Sequence, residues 1–274
     1  MTISFTPITS TVGVRVEGCD LGKPLDEETV TTLRQKMHQH GLLLFKHQDI
    51  TDQDQLRFAK YFGNISKQGP IQKTAPEVTY VSNTRSDGTF GKGELSFHSD
   101  QCYYQHPMKA IMLYGLDIPK VGGETLFVNV AEVVASMPEE MKKDLASRKV
   151  RHEFDYGMLD YGDEMKKTVK AVVVSAEHPI IAKHPWSDKL TLMSNSNTAK
   201  CIVGVEADES QKILDMLDKI VSNPQNVYAH KWEKMDLIVW DNLLLQHARS
   251  NFDAAETRTL RRCAIGNENE SISV

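Results

Sequence analysis

The sequence predicts one mainly β domain, a sandwich or barrel carrying helices on its outside. Three observations lead there. Short apolar or alternating runs of strand character recur along the whole chain. Helical patterns precede or interrupt these runs without regular β–α alternation, which argues against a doubly wound parallel sheet. No G-x-G-x-x-G appears, so the glycine turn that cradles a dinucleotide phosphate is missing.

The elements follow in order. "VGVRVE" (12–17) alternates Val12, Val14 and Val16, a strand pattern. In "LDEETVTTLRQKMHQHG", Asp26 can cap a helix, Val30, Leu33 and Met37 form its apolar stripe, and Gly41 ends it. "GLLLFKHQ" reads as a buried strand, and "TDQDQLRFAKYFG" as a second capped helix closed by Gly63. Residues 64–94 are rich in Gly, Pro, Asn, Ser and Thr and are too long for a simple turn, so a functional loop or lid is expected. Strand-like stretches follow at about 95–100, 109–116 and 124–128. "NVAEVVASMPEEMKKDLASR" is helical with a break near Pro138, and the charged, irregular segment 147–170 reads as a second surface insert. "AVVVSA", "LTLMSN", "DLIVWD" and "LRRCAIG" are further strands. Between them runs a helix with Ile213, Met216, Leu217, Ile220 and Val221 on one face. No internal repeat divides the chain, so residues 1–274 are expected to form a single domain.

Composition narrows the function. With 274 residues, 40% hydrophobic and 25% charged, the chain has an ordinary globular balance and ample material for a core. A net charge of −5 argues against nucleic acid as a partner. Cys19, Cys102, Cys201 and Cys263 have no paired spacing, which suits reduced thiols in a cytoplasmic protein better than a disulfide framework or zinc knuckle. "MTISFTPITS" lacks the basic start and apolar run of a signal peptide, and no apolar run is long enough for a membrane span. A small-molecule substrate is the expected partner, with homo-oligomerisation left open.

"LSFHSDQ" holds His98 and Asp100 two apart, which on a strand aims both at one point. Polar groups turned inward are costly unless something compensates them, and a metal ion would. An isolated H-x-D is more often a strand with its polar face in solvent. The third group changes that reading. His247 follows the strand 235–240, and two imidazoles with one carboxylate are the facial triad of non-haem Fe(II) oxygenases. The remaining histidines read as surface or packing residues.

With "VRVEGCDLGKPLDEE" and "GLLLFKHQDITDQDQLRFAKYFG" ahead of them, "FHSDQ", "GGETLF" and "WDNLLLQHARSNFDAAETRTLRR" occur in order at compatible separations. On these motifs nearly the whole chain resembles the taurine and 2,4-dichlorophenoxyacetate dioxygenase (TauD/TfdA) family, which depends on Fe(II), 2-oxoglutarate and O2. The resemblance implies a double-stranded β-helix, or jelly-roll, core. It implies His98, Asp100 and His247 as catalytic iron ligands. Thr125 and Arg258 match the groups that hold the distal carboxylate of 2-oxoglutarate, and Trp240 matches an aromatic near that cosubstrate. Arg262 matches a position that binds an anionic substrate in some members, although the neighbouring Arg261 could equally face inward. Asn83 is a candidate substrate contact from the long loop, or else a residue that caps the loop.

Charge agrees with this assignment. Fe(II) with one carboxylate and two neutral imidazoles carries one net positive charge, and the 2-oxoglutarate dianion brings the centre to one net negative charge. Its buried tail then needs a cation, and the planar fork of an arginine suits a carboxylate. Where the family often has Arg after "WDN", this chain has Leu243, outside the ligand set. Asp100 is retained where related halogenases have a small residue, so oxygen insertion is expected. The implied reaction is hydroxylation of an unactivated C–H bond of a small, anionic organic substrate, with succinate and CO2 formed. A tailoring role in the biosynthesis of an amino acid-derived natural product is the alternative. A zinc hydrolase would not need Thr125 and Arg258 at this spacing, and a non-catalytic β-barrel binding protein would not need all three ligands.

Overall fold

The computed structural model describes residues 3–67, 76–91, 93–158, 163, 167 and 172–266. In chain order the first strands are β1 (Ser4–Pro7), β2 (Val14–Glu17), β3 (Leu42–Phe45), β4 (Thr79–Ser82), β5 (Gly88–Thr89), β6 (Leu95–His98), β7 (Ala110–Asp117) and β8 (Thr125–Asn129). They are followed by β9 (Lys149–Asp155), β10 (Val173–Pro179), β11 (Ile181–Lys183), β12 (Leu190–Leu192) and β13 (Ala199–Ile202). The last are β14 (Val227–His230), β15 (Leu237–Asp241), β16 (Leu245–Arg249) and β17 (Thr259–Ile265). The helices are α1 (Glu27–His40), α2 (Asp52–Lys60), α3 (Val130–Ser136), α4 (Glu139–Ala146) and α5 (Ala207–Val221).

Two sheets form the body. One has eight strands in the order β1-β2-β3-β15-β7-β17-β4-β5, and the other has four in the order β14-β8-β16-β6. Neither order closes on itself. Pairing is antiparallel except for β2 with β3 and β4 with β5.

The period of two along each strand assigns side chains to layers. On β3, Leu43 and Phe45 pack behind the large sheet with Val239, with Leu33 and Met37 of α1, and with Phe58 of α2. Leu42 and Leu44 point the other way, to Ile238 and Trp240 of β15 and to Phe127 and Leu245 of the four-stranded sheet. This second cluster lies between the sheets. A third cluster covers the far side of the four-stranded sheet, where Phe97, Val128 and Ala248 meet Val130 and Val133 of α3 and Leu217 and Val221 of α5. All four residues of β3 are buried, which explains its continuous apolar run. Each such side chain contributes about 1.5–3 kcal/mol by leaving water.

The helices end where their chemistry requires. Asp26 accepts the Thr29 amide at 2.8 Å at the start of α1, and Gly41, at φ 79°, closes it in the left-handed region. Thr51 and Asp54 form a capping box on α2, which ends at Lys60, ahead of Gly63. Pro138 separates α3 from α4. No helix among the described residues is long and apolar enough to cross a membrane.

Two expected loops contain strands. Within 64–94, β4 pairs with β17 and carries β5 beside it, while residues 68–75 and 92 lie outside the described residues. Within 147–170, Lys149–Asp155 is the centre of a three-stranded sheet, β10-β9-β13, and most of 159–171 lies outside the described residues. "KVRHEFD" in fact alternates, with Val150 and His152 buried. Burial lowers the pKa of His152 to about 3 and leaves it neutral, and its Nδ1 is hydrogen-bonded to Thr198 Oγ1 at 2.8 Å.

Candidate active site

β16 lies between β8 and β6, and this places His247 directly opposite His98. Their ring centroids are 4.2 Å apart. The register shifts between His247 and Arg249, so β6 carries a bulge. The expected alternation therefore fails: Leu95 and His98 both line the pocket, while Ser96 is exposed. Asp100 is not on the strand either. It sits two residues past the end of β6, in a turn where Gln101 takes φ 61°.

Nevertheless the three groups converge. Asp100 Oδ1 lies 3.3 Å from His98 Nε2 and 3.9 Å from His247 Nε2. His98 Nδ1 donates to the Ser96 carbonyl at 2.8 Å. In a neutral ring that proton leaves Nε2 as a bare lone pair facing the carboxylate. Burial, with the neighbouring His98, lowers the pKa of His247 to about 3, so that ring is neutral. Burial alone would raise the Asp100 pKa. The Arg262 guanidinium outweighs it and holds the carboxyl well below its usual range. Two imidazoles and an ionised carboxylate thus face one point, a donor set that fits a divalent cation.

A pocket adjoins the triad, lined by Val81, Phe90, Leu95, Ile111, Leu113, Thr125, Trp240, Arg249, Arg258 and Arg262. Gly122 and Gly123, at φ 77° and 72°, turn the chain into β8, where Thr125 is buried. A Cβ on Gly122 would stand 2.2 Å from the Asn251 carbonyl, so the turn requires glycine. Thr125 Oγ1 accepts the Trp232 indole N–H at 2.9 Å. Trp240 stands 4.8 Å from the His247 ring. Its buried Nε1 has no hydrogen-bond partner among the described residues.

The arginines have different environments. Arg258, 3% exposed, donates Nε to the Gly123 carbonyl at 3.0 Å, and no carboxylate pairs with it among the described residues. Burial, then the Arg249 guanidinium, lower its pKa to about 9, so it remains a cation at neutral pH. Arg262 turns inward and donates Nη2 to Asp100 Oδ2 at 2.6 Å. Arg261 turns outward to Asp52, to Gln55 Oε1 at 2.6 Å and to the Ile50 carbonyl at 2.9 Å. Of the two consecutive arginines, only Arg262 therefore faces the pocket.

Asn83 corrects the expectation that it meets substrate. It is absent from the pocket wall. Its Nδ2 donates to the Glu256 carbonyl at 2.8 Å, and its Oδ1 accepts the Arg258 amide at 2.9 Å. With both ends of the amide occupied, Asn83 is a loop tie that seats Arg258.

Three further residues belong to this region. Arg249 donates to the Phe90 and Gly93 carbonyls and lines the pocket. Its place two after His247 is a strand-period signal. Trp232 has no comparable cue. Asn242, in "WDN", contacts Asp100. Leu243 beside it is buried with Cys102, Ala182 and Met193.

A second His-His-Asp group, His38, His184 and Asp241, has the same donor types. Its hydrogen bonds are already satisfied. Asp241 Oδ2 takes His38 Nδ1 and His184 Nε2 at 3.0 Å each, and Oδ1 takes the Leu243 and Leu244 amides. His184 Nδ1 is bonded to Ser187.

Residues 4–264 match the family described as taurine catabolism dioxygenase TauD, TfdA family. The chain is 28% identical over 275 residues to an alkylsulfatase of Acinetobacter baylyi, covering 97% of this chain and 86% of that protein. It is 30% identical over 272 residues to pentalenolactone F synthase of Streptomyces arenae, covering 91% and 89%. The crystal structure of AAD-2 in complex with Mn(II) and N-oxalylglycine superposes with a TM-score of 0.82 at 26% identity, covering all of both chains.

Proposed function

The chain belongs to the TauD, TfdA family, and on that premise we propose that it hydroxylates a C–H bond of a small organic anion at the His98–Asp100–His247 centre. It is an Fe(II)- and 2-oxoglutarate-dependent dioxygenase. We take the two facing sheets as its jelly-roll core and residues 1–274 as one catalytic domain. A pocket that draws side chains from β4 through β17 supports both readings.

The observation that carries the proposal is the pairing of two features. A cation-ready triad lies beside Arg258, a buried guanidinium that no carboxylate pairs with among the described residues. Iron would be held by His98, Asp100 and His247. When bound, it supplies O2 activation coupled to decarboxylation of 2-oxoglutarate, giving succinate and CO2. The rest is the protein's contribution. Arg258 grips the distal carboxylate with its unused N–H groups. Trp232 occupies a lone pair of Thr125, which leaves the Thr125 O–H to donate to that carboxylate. Trp240 packs on His247 and walls off water.

Charge supports an anionic substrate. Iron, Asp100 and 2-oxoglutarate leave one net negative charge, and three pocket guanidiniums outweigh it by two. The body of such a substrate would meet Val81, Phe90, Leu95 and Leu113. Sulfate esters and phenoxy acids, named for relatives, have this form. The pentalenolactone F synthase likeness keeps biosynthetic tailoring as a second reading. The test is anaerobic addition of Fe(II) and 2-oxoglutarate, then succinate release scored over panels of both kinds. A weak visible charge-transfer band and substrate-dependent succinate are expected. Absence of the band, with hydrolysis supported by zinc, would overturn the reading.

Two variants probe the pocket. Trp232→Phe removes one N–H from Thr125 and should weaken 2-oxoglutarate by about 0.5–1.5 kcal/mol, read from its apparent KM. Arg262→Ala should raise the substrate KM by about tenfold or more, roughly 1.4 kcal/mol, and increase uncoupled 2-oxoglutarate decay. Because Arg262 also braces Asp100, Fe(II) affinity should fall as well, though less. Equal substrate KM in both proteins would remove Arg262 from substrate binding.

A further inference from the structure

Asp100 projects from a turn, without the sheet pairing that steadies His98 and His247. Two groups hold it instead. Arg262 takes the carboxylate. The backbone is held by one side chain, Asn242. The Asp100 amide donates to Asn242 Oδ1 at 2.8 Å, and Asn242 Nδ2 donates back to the Asp100 carbonyl at 2.9 Å and to the Met108 carbonyl at 2.8 Å. A single amide thus reproduces the donor and acceptor of an adjacent strand at the one ligand that lacks one. The side chain is 0% exposed.

Asn242 is itself fixed. Its amide donates to the Lys109 carbonyl at 3.0 Å, and the preceding Asp241 is clamped by His38, His184 and two backbone amides. The turn 241–244 then runs into β16, which carries His247 five residues after Asn242. One rigid turn therefore governs the spacing of Asp100 and His247.

We propose that Asn242 is the positioning residue for Asp100, with the His38–Asp241–His184 group as the anchor of its turn. This rests on the reading of the triad as the iron site. No other side-chain type supplies both functions at this size. Asp keeps the acceptor for the Asp100 amide but sets oxygen against two carbonyls, and Ala supplies neither.

The test is Fe(II) titration of Asn242→Ala, read by the charge-transfer band with saturating 2-oxoglutarate, with His247→Ala as control. The expected result is Fe(II) affinity lower by about 10–100-fold, the usual cost of losing an outer support of a ligand. At saturating Fe(II), the 2-oxoglutarate titration should match the parent protein, because Arg258 and Thr125 are untouched. A general loosening would weaken both. Fe(II) affinity within twofold of the parent in a cooperatively unfolding Asn242→Ala would overturn the assignment. Should that variant not fold, Asn242→Asp is titrated in the same way and judged by the same limits. If His247→Ala binds Fe(II) as the parent does, the iron-site reading fails. If His247→Ala loses iron while the Asn242 variant keeps it, only the positioning role fails.

Discussion

Replacing His247 by Ala abolishes succinate formation, to below about one hundredth of the parent rate even with added Fe(II), because two protein ligands no longer define one face of the metal. The fold should survive. β16 keeps its backbone pairing to β8 and β6, and the lost ring leaves a cavity against Trp240 and Phe127 that costs roughly 1–3 kcal/mol. Succinate should be quantified beside a thermal unfolding curve. Parent-like turnover in a folded variant would remove His247 from the site.

Arg258→Ala carries the second largest effect. The guanidinium is buried, and among the described residues its N–H groups beyond Nε take no hydrogen-bond partner, which suits them to the 2-oxoglutarate tail. Truncating one partner of a buried charged pair costs about 2–5 kcal/mol. The apparent 2-oxoglutarate requirement should therefore rise about 30-fold to several thousandfold, with turnover at saturation reduced far less. Thr125→Ala should shift it less, since a hydroxyl brings no charge. Arg258→Lys should not restore affinity, because an ammonium lacks the planar fork. If the titration is unchanged, Arg249 inherits the role. Arg261 cannot, because it faces α2 on the other side of the sheet.

The triad was legible in the sequence because its chemistry is carried by residue type. A His and an Asp two apart, with a later His on a strand, admit few other uses once Thr125 and Arg258 follow at matching intervals. The route to the geometry was less legible. His98 follows a bulge in β6 and Asp100 stands in a turn before a left-handed Gln101, rather than both on one alternating strand, and backbone irregularities of that kind leave no residue-type signature. Asn83 stayed open between two roles because a loop amide looks the same whether it meets a ligand or a carbonyl. β9 was missed because His152 and the charges around it obscure an alternating strand, and β4 because its four residues are half-buried apart from Ser82 and so carry no apolar pattern. The strongest apolar patterns, β3, β15 and α1, lie where the sequence placed them.

The opposed directions of Arg261 and Arg262 act as a parity check on assembly. All of β17 is buried between β7 and β4, with Arg261 committed to the α2 side and Arg262 to Asp100. Sliding the strand by one residue would exchange its two faces. Cys263 would then confront Asp100 and Arg262 would take the place of Arg261 beside Asp52, while the Arg261 guanidinium would enter the apolar layer of Leu260, Ile238 and Trp240 without a carboxylate. Only one of the two parities leaves both cations paired. The strand that charges the pocket is thereby also the strand least able to settle into a neighbouring alignment as the sheet zips up.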